Sequence, residues 1–276
     1  MGAAAGVATE YADYNTFVGA MSGWDNNRTN NTTNASRNTY VGMMTGAGNR
    51  EGQDNVGMGA FAGYGPSGFS DGHYWSGSTN RNRTVYIGAL AEAGEDDVMA
   101  IGYYARVDAQ FATGIGHLSY NNGTYSVGLG YDNDISSNGD YSIGIGRVAN
   151  ISQSYAVGIG DGVNVDNTGA VALGATTVVQ GDNSIAIGKE ATVTGANSIA
   201  IGYGASVSTD NTIFIGNGST TSVGATVNWT ATSDARVKKD IEENVPGLDF
   251  ITGLRPVTYK YDLQNLRSYV KDNTNM

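Results

Sequence analysis

The chain lacks cysteine altogether, so neither a disulfide framework nor a thiolate metal site is open to it. Basic residues are also few, with 15 Lys and Arg against 26 Asp and Glu and a formal net charge of −11. A surface this acidic repels phosphate backbones, so we expect no nucleic-acid partner. No apolar run approaches the roughly 18 residues of a membrane helix. We therefore expect no membrane insertion.

Sequence signals for cofactor or metal chemistry are also missing. The only histidines, His73 and His117, lie far apart in the sequence, and no glycine-rich phosphate loop opens a helix. We therefore expect no metal ion and no cofactor. Two acidic pairs, Asp96-Asp97 and Asp132/Asp134, have the residue types of a glycosidase, but we interpret them as solvated turn residues. Residues 1–10 contain no basic segment typical of an export signal.

Glycine, by contrast, is abundant, with 41 residues that follow no Gly-X-Y period. A short phrase of the type SIAIG recurs along the chain, and the interval between its closing glycines is always 14, apart from one interval of 16. These closing glycines are Gly88, Gly102, Gly116, Gly130, Gly146, Gly160, Gly174, Gly188, Gly202 and Gly216. A fixed short period of this kind is typical of a solenoid.

Each 14-residue unit has the pattern of two short strands. Residues 183–187 alternate bulky and small side chains, and small or branched residues follow three and five positions after the closing glycine, as at Ala191 and Val193. The fold class is therefore all-β, a parallel β-roll or β-solenoid of 14-residue coils. So thin a coil has room for only one apolar face, so the outward Ile and Val row requires a second chain. The residues themselves indicate only that the protein is not a monomer.

Residues 183–202, NSIAIGKEATVTGANSIAIG, resemble the head repeat of trimeric autotransporter adhesins. The resemblance extends over about residues 84–216 and implies a left-handed parallel β-roll that assembles as a homotrimer. The coil at Gly116 departs from it, because His117-Leu118-Ser119-Tyr120 shifts the apolar phase.

The N-terminal third repeats the phrase at wider intervals of 23, 17 and 29. The additional sequence forms two predicted loops, 22–37 and 61–83. Aromatic rings beside amides and hydroxyls are typical of carbohydrate sites, so a host-surface glycan or protein is one expected ligand. The alternative is that these rings cap the open end of the roll. The candidate binding residues are Trp24, Tyr64, His73, Tyr74 and Trp75.

The composition changes after the last coil. Leu248, Ile251 and Leu254 follow Pro246 at helical spacing and predict a short helix. Arg255-Pro256 then ends that helix, and residues 257–261 read as a strand.

Two motifs in this region, Ser-Asp-x-Arg-x-Lys-Lys-x-Ile at 233–241 and Leu-Arg-Pro-Val-Thr-Tyr at 254–259, are similar to the intramolecular chaperone of phage tail spikes and endosialidases. The resemblance implies a chaperone that trimerises the fibre and then cuts the Thr232–Ser233 bond. Ser233 would be the nucleophile and Lys238 the base, with Asp234 beside them. The alternative is that Ser233-Asp234 caps a turn. Residues 233–276 are shorter than that family's chaperone, so we expect either a truncated segment or a retained remnant of the chaperone.

Together these observations predict four parts: irregular coils over 1–83, regular repeats over 84–222, a linker over 223–232, and a small α+β chaperone-like segment over 233–276. The expected protein is a trimeric phage tail or capsid fibre, extracellular in the virion, that contacts itself, other virion fibre or baseplate proteins and the host surface. The alternative is a bacterial trimeric adhesin or appendage subunit. No external substrate is expected; self-cleavage at Thr232–Ser233 is the one enzymatic activity predicted.

Overall fold

A computed structural model describes residues 2–7, 9–27, 34–63, 81–224, 226, 247–260 and 262–273. Two compact units are found, 1–223 and 224–276. The first is a β-solenoid, and in the described residues the second contains only helices and irregular chain.

The strands are short because each coil turns sharply after two or three residues. In chain order they are β1 (Thr16–Val18), β2 (Thr39–Val41), β3 (Val56–Met58), β4 (Val85–Ile87), β5 (Glu92–Ala93), β6 (Met99–Ile101), β7 (Arg106–Val107), β8 (Thr113–Ile115), β9 (Tyr120–Asn121), β10 (Val127–Leu129), β11 (Asp134–Ile135), β12 (Ile143–Ile145), β13 (Asn150–Ile151), β14 (Val157–Ile159), β15 (Asn164–Val165), β16 (Val171–Leu173), β17 (Val178–Val179), β18 (Ile185–Ile187), β19 (Thr192–Val193), β20 (Ile199–Ile201), β21 (Ser206–Val207) and β22 (Ile213–Ile215).

Equivalent strands of successive coils pair in parallel, which confirms the predicted β-solenoid. The strands that precede the closing glycines form a 13-stranded sheet, sheet 1, made of β1 to β4 and then the even-numbered strands to β22. The odd-numbered strands from β5 to β21 form a nine-stranded sheet, sheet 2. The register follows the repeat, so that Ile185 lies beside Val171 on one side and Ile199 on the other.

The interior of the roll is filled by the residues that the period predicts. From β6 to β20, the middle residue of each sheet 1 strand is Gly or Ala and faces inward, and Ala186 and Ala200 are fully buried there. Val179 and Val193 of sheet 2 are fully buried against them. The coil at Gly116 keeps this register with polar side chains, because Ser119 and Asn121 are fully buried in place of Ala and Val.

The wide N-terminal coils have a polar interior. Asn38 and Asn55 are buried, and the side-chain oxygen of Asn38 accepts a hydrogen bond of 3.0 Å from the backbone N–H of Asn55. The side-chain oxygen of Asn55 then accepts one of 2.9 Å from the backbone N–H of Thr84 in the next coil. Nearby, Tyr40 is fully buried and accepts a 2.9 Å hydrogen bond from Asn49, and burial raises the pKa of Tyr40 to about 12. Side-chain amides therefore hold these coils in register where the apolar repeat is absent.

The C-terminal unit contains α1 (Leu248–Gly253) and α2 (Leu263–Asn273). Helix α1 confirms the helix predicted after Pro246. Residues 257–260 are not a strand, which corrects that prediction. Helix α2 was not predicted, although Asp262 caps it by accepting hydrogen bonds from the backbone N–H groups of Gln264 and Asn265 at 3.0 and 3.2 Å.

Side chains of neighbouring coils share one volume in the core, so a larger residue in one coil lies against a smaller residue in the next. This predicts a pair of mutations that compensate for each other. Ile151 faces Gly158, whereas the equivalent pairs further along are Val with Ala, as at Val179 and Ala186. A Cβ added at Gly158 would lie 2.5 Å from Cδ1 of Ile151. We expect Gly158→Ala to destabilise the fold by about 1–3 kcal/mol through overpacking, and Ile151→Val by about 1 kcal/mol through the lost methyl group.

The double variant should lie closer to the wild type than the sum of the two changes, because Val lacks the atom that clashes. Thermal or denaturant unfolding of the four proteins, measured at equal concentration, tests this coupling. Strictly additive losses would show that Ile151 and Gly158 do not share one packing volume.

Candidate functional site

The predicted binding residues are not brought together in the described part of the chain. Trp24 is half-buried within a stacked coil, not at a loop tip, and its backbone carbonyl accepts a 2.8 Å hydrogen bond from Gly48 of the next coil. Tyr64, His73, Tyr74 and Trp75 lie outside the described residues. The glycan or receptor site therefore stays a prediction.

The predicted autocleavage residues, Ser233, Asp234 and Lys238, also lie outside the described residues. What is described of this unit exposes many apolar side chains on the single chain. Phe250 is 55% exposed, Val257 65% and Tyr259 72%. An isolated domain of this size rarely leaves so much apolar surface in water, which is the property expected of a segment that acts in an assembly.

The outward face of sheet 1 is a continuous apolar stripe along the roll. Each of its strands carries a large aliphatic residue at one or both ends, and these side chains point away from the filled interior. Ile143 is 38% exposed, Ile159 39% and Ile187 37%. Because the residues recur on successive parallel strands, they lie in two adjacent rows with no polar break between β12 and β20. Such a stripe is characteristic of an interface between protein chains.

Aromatic rings flank this stripe on both sides. Before the strands of sheet 1, the rings of Phe111, Tyr125, Tyr141 and Tyr155 stack in one column, with centroids 4.8, 5.2 and 5.2 Å apart. After the strands, Tyr103, His117 and Tyr131 stack in a second column with spacings of 5.2 Å. Sequence reasoning missed both columns, although aromatic residues at the 14-residue period were the available signal.

The first strands of sheet 2, from β5 to β9, carry a charged cluster on their outer side. Arg106 lies 2.6 Å from a carboxylate oxygen of Asp108 and 3.7 Å from one of Glu92, and its guanidinium lies 5.3 Å from the ring centroid of Tyr120. Burial raises the pKa of Glu92 to about 7, and the positive charge of Arg106 opposes this shift. These contacts join three successive coils, so we interpret the cluster as support for the register of sheet 2.

Of the acidic pairs considered as glycosidase residues, Asp96 and Asp97 accept hydrogen bonds from the preceding coil. Asp96 accepts hydrogen bonds of 2.9 and 3.0 Å from Asn82, and hydrogen bonds from Arg83 lower the pKa of Asp97. Burial and the nearby charge of Asp132 raise the pKa of Asp134. Among the described residues, no group of three or more His, Asp or Glu side chains is placed to hold a metal ion. None of the described helices has the length and apolarity to span a membrane.

Comparison with known families finds a match within each of the two units. Residues 166–191 and 194–222 match the YadA head domain repeat in two copies, and residues 233–274 match the chaperone of endosialidase. No curated protein matches it.

The two matches, together with the β-solenoid, fit a tail-fibre-like protein with a C-terminal chaperone. They imply a homotrimeric, fibre- or adhesin-like protein that is extracellular or exposed at a surface. The matched head repeats lie in the part of the roll where the outward face of sheet 1 is most regular, from β16 to β20. The apolar stripe and the family matches therefore indicate assembly independently of each other.

Proposed function

We propose that this protein is a structural subunit of a homotrimeric phage tail or capsid fibre that contributes to host-surface attachment. The observation that carries the proposal is the apolar stripe of sheet 1 on a chain that also matches an endosialidase-type chaperone. The stripe requires a partner, and the chaperone match favours a fibre in which that partner is a further copy of the chain. Other fibre or baseplate proteins of the virion are the remaining partners of this proposal.

Burial of the stripe supplies the driving force for assembly. Apolar surface contributes about 25 cal/mol for each Å² removed from water, so a stripe that continues over many coils contributes far more than any single contact. Three rolls that turn sheet 1 towards a common axis bury the stripe, and they leave the mainly polar outer surface of sheet 2 in water. The fibre is thus stabilised along its whole length.

The C-terminal segment is proposed to bring the three chains together and then to cleave itself before Ser233. In this scheme the hydroxyl of Ser233 attacks the carbonyl carbon of Thr232 while Lys238 accepts the proton, with Asp234 adjacent. The Thr232–Ser233 C–N bond breaks as the ester forms, and Lys238 passes its proton to the nitrogen of Ser233, which becomes a free amine. Water then hydrolyses the ester and leaves a carboxylate at Thr232.

The parts of the chain have separate roles in this proposal. Residues 1–83 form the irregular coils, and their aromatic residues Trp24, Tyr64, His73, Tyr74 and Trp75 contact a surface glycan or protein, or cap the roll. Residues 84–222 form the shaft and 223–232 a linker. Residues 233–276 form the chaperone segment.

A bacterial surface adhesin is the second candidate, and the match to YadA head repeats at 166–222 is the observation that favours it. Antibodies against the roll, used for immunogold electron microscopy, separate the two. Labelled phage fibres support the proposal, and label confined to bacterial surfaces supports the adhesin.

Mass spectrometry of the purified full chain tests assembly and cleavage together. Under native conditions we expect a trimer, and after denaturation we expect chains that end at Thr232. Ser233→Ala should give the same trimer with uncut chains, because it lacks the nucleophile. A monomer would overturn the homotrimer, whereas a trimer of uncut wild-type chains would overturn only the self-cleavage.

A further inference from the structure

The two aromatic columns beside sheet 1 occupy the same section of the roll. We name the column before the strands the entry ladder (Phe111, Tyr125, Tyr141, Tyr155) and the column after them the exit ladder (Tyr103, His117, Tyr131). Strand β8 lies between Phe111 and His117, and β10 lies between Tyr125 and Tyr131. Each ladder therefore borders the apolar stripe that the trimer is proposed to bury.

The ladders are exposed on the single chain and are not needed to build a coil. Phe111 is 44% exposed, Tyr141 53% and Tyr155 62%, and Tyr103 and Tyr131 are both 48% exposed. The later coils fold in the same register with small or polar residues at the entry position. Those residues are Gly169, Asn183, Asn197 and Asn211. The aromatic residues are therefore not required for the coil to fold, which indicates that they contact a surface outside the coil.

Three-fold symmetry determines what each flank meets. We call the side of the roll that precedes the sheet 1 strands the entry flank, and the side that follows them the exit flank. When three parallel rolls turn sheet 1 towards a common axis, the entry flank of one protomer faces the exit flank of the next, as in any closed ring of head-to-tail contacts. Rotation about an axis parallel to the roll keeps the height of every residue unchanged. Residues of the same coil, one before the strand and one after it, therefore meet across the protomer boundary.

We infer that the entry ladder of one protomer packs against the exit flank of its neighbour, coil by coil, and so fixes the register of the trimer. This inference rests on the proposed homotrimer. Its partner is a second copy of this chain, and its surface continues the apolar stripe of sheet 1. The same-coil pairs it predicts are Asp97 with Tyr103, Phe111 with His117, Tyr125 with Tyr131, Tyr141 with Arg147, and Tyr155 with Asp161.

The chemistry of these pairs is complementary at every level. Phe111 with His117 and Tyr125 with Tyr131 are ring pairs, which are favourable beyond their buried area. A guanidinium over a tyrosine ring is a cation–π contact, and Arg147 is held on the exit flank by its 2.8 Å ion pair with Asp161. At both ends of the section a carboxylate faces a tyrosine, whose hydroxyl can donate a charge-assisted hydrogen bond to it. No predicted pair brings like charges together.

Cysteine cross-linking of the full chain tests the inference, because the natural sequence contains no cysteine. The double variant Tyr125→Cys/Tyr131→Cys places both thiols at one height. Oxidation should convert the protein into a covalent trimer on a non-reducing denaturing gel. A disulfide within one chain is not expected, because the extended segment between the two positions spans roughly 15 Å, more than a disulfide bridges.

Three controls make the result specific. Each single variant should stay monomeric on the denaturing gel, and so should Tyr125→Cys/Asp161→Cys, whose thiols lie two coils or roughly 10 Å apart in height. The pair Asn183→Cys/Lys189→Cys tests the same flank geometry outside the ladders and should cross-link as well. If the loss of two tyrosines prevents folding of the first double variant, cross-linking of Asn183→Cys/Lys189→Cys still tests the pairing of the two flanks.

The possible outcomes separate this inference from the proposed function. A native trimer in which neither same-coil pair cross-links, or in which Tyr125→Cys/Asp161→Cys cross-links equally well, overturns the pairing of the flanks and leaves the homotrimer standing. A native monomer overturns the homotrimer itself. Covalent trimers from both same-coil pairs, with none from the other variants, support the inference.

Discussion

Replacement of Gly174 by alanine should prevent the chain from folding into a stable roll. Gly174 closes strand β16 with φ of 134°, a conformation that side chains rarely adopt. A Cβ built at this position would lie 2.7 Å from both the carbonyl carbon and oxygen of Gly188 in the next coil. These are backbone atoms that cannot move without breaking the parallel pairing of β16 and β18. We expect a loss of about 4 kcal/mol or more in unfolding free energy, since strain and a backbone clash add together.

Gly204 provides the matched control for this prediction. It also has a positive φ, of 61°, but a Cβ added there would meet no atom within 4 Å. The same corner position carries ordinary residues in other coils, such as Val148 with φ of 55° and Glu190 with φ of 60°. Gly204→Ala should therefore lower the melting temperature by only a few degrees at most, whereas Gly174→Ala should yield little soluble protein. Equal stability of the two variants, measured by thermal unfolding, would contradict the explanation that a Cβ at Gly174 clashes with the backbone of the next coil.

The fold of the regular section could be predicted from the sequence because one physical requirement recurs in every coil. A coil must turn at the same place each time, so the closing glycine returns at a fixed interval, and the small and branched residues that fill the interior return with it. Ala186 and Val193 lie where this period places them. The coil at Gly116 shows the limit of a pattern read only from apolar residues, because Ser119 and Asn121 fill the interior as buried polar groups.

The wide coils and the C-terminal segment were harder to predict, for different reasons. Residues 22–27 were expected in a loop because they are polar, yet Asn26 is fully buried within a coil and donates a 3.0 Å hydrogen bond to the carbonyl of Ala35. Polar composition indicates a loop only when the polar groups face water. Residues 257–260 have the composition of a strand but no neighbouring strand among the described residues, and a strand exists only with a partner.

The candidate sites could be predicted only in part. The chemistry proposed for Ser233 and Lys238 rests on a contiguous motif, so a resemblance can suggest it from the residues alone, and it stays a prediction. The two aromatic ladders have no motif, since Phe111, Tyr125 and Tyr141 look like isolated aromatic residues until the coils are stacked. Their meaning depends on spatial neighbours from different coils, and the longer interval between Gly130 and Gly146 hides the period by which they align.

Replacement of Ile187 by glutamate should abolish the trimer while the coil itself still forms. Ile187 ends strand β18 on the outward face of sheet 1 and is 37% exposed on the single chain. In the proposed trimer, three-fold symmetry would bring three carboxylates towards one axis in an apolar surrounding. An unpaired buried charge costs several kcal/mol, and mutual repulsion of the three adds to that cost. Native mass spectrometry should therefore show monomers or aggregates in place of the trimer.

Thr192→Glu supplies the comparison, because Thr192 is half-buried on the outer side of sheet 2, next to Ser206 of the following coil. The same charge is added there at a surface that the trimer leaves in water, so the variant should remain trimeric with nearly unchanged thermal stability. Comparison of the two variants separates the effect of a charge on the sheet that faces the trimer axis from the general effect of an added acidic residue. If Ile187→Glu is trimeric and Thr192→Glu is not, the chains meet through sheet 2. The coil-by-coil pairing of the flanks of sheet 1 would then also be wrong, because it requires sheet 1 to face the trimer axis.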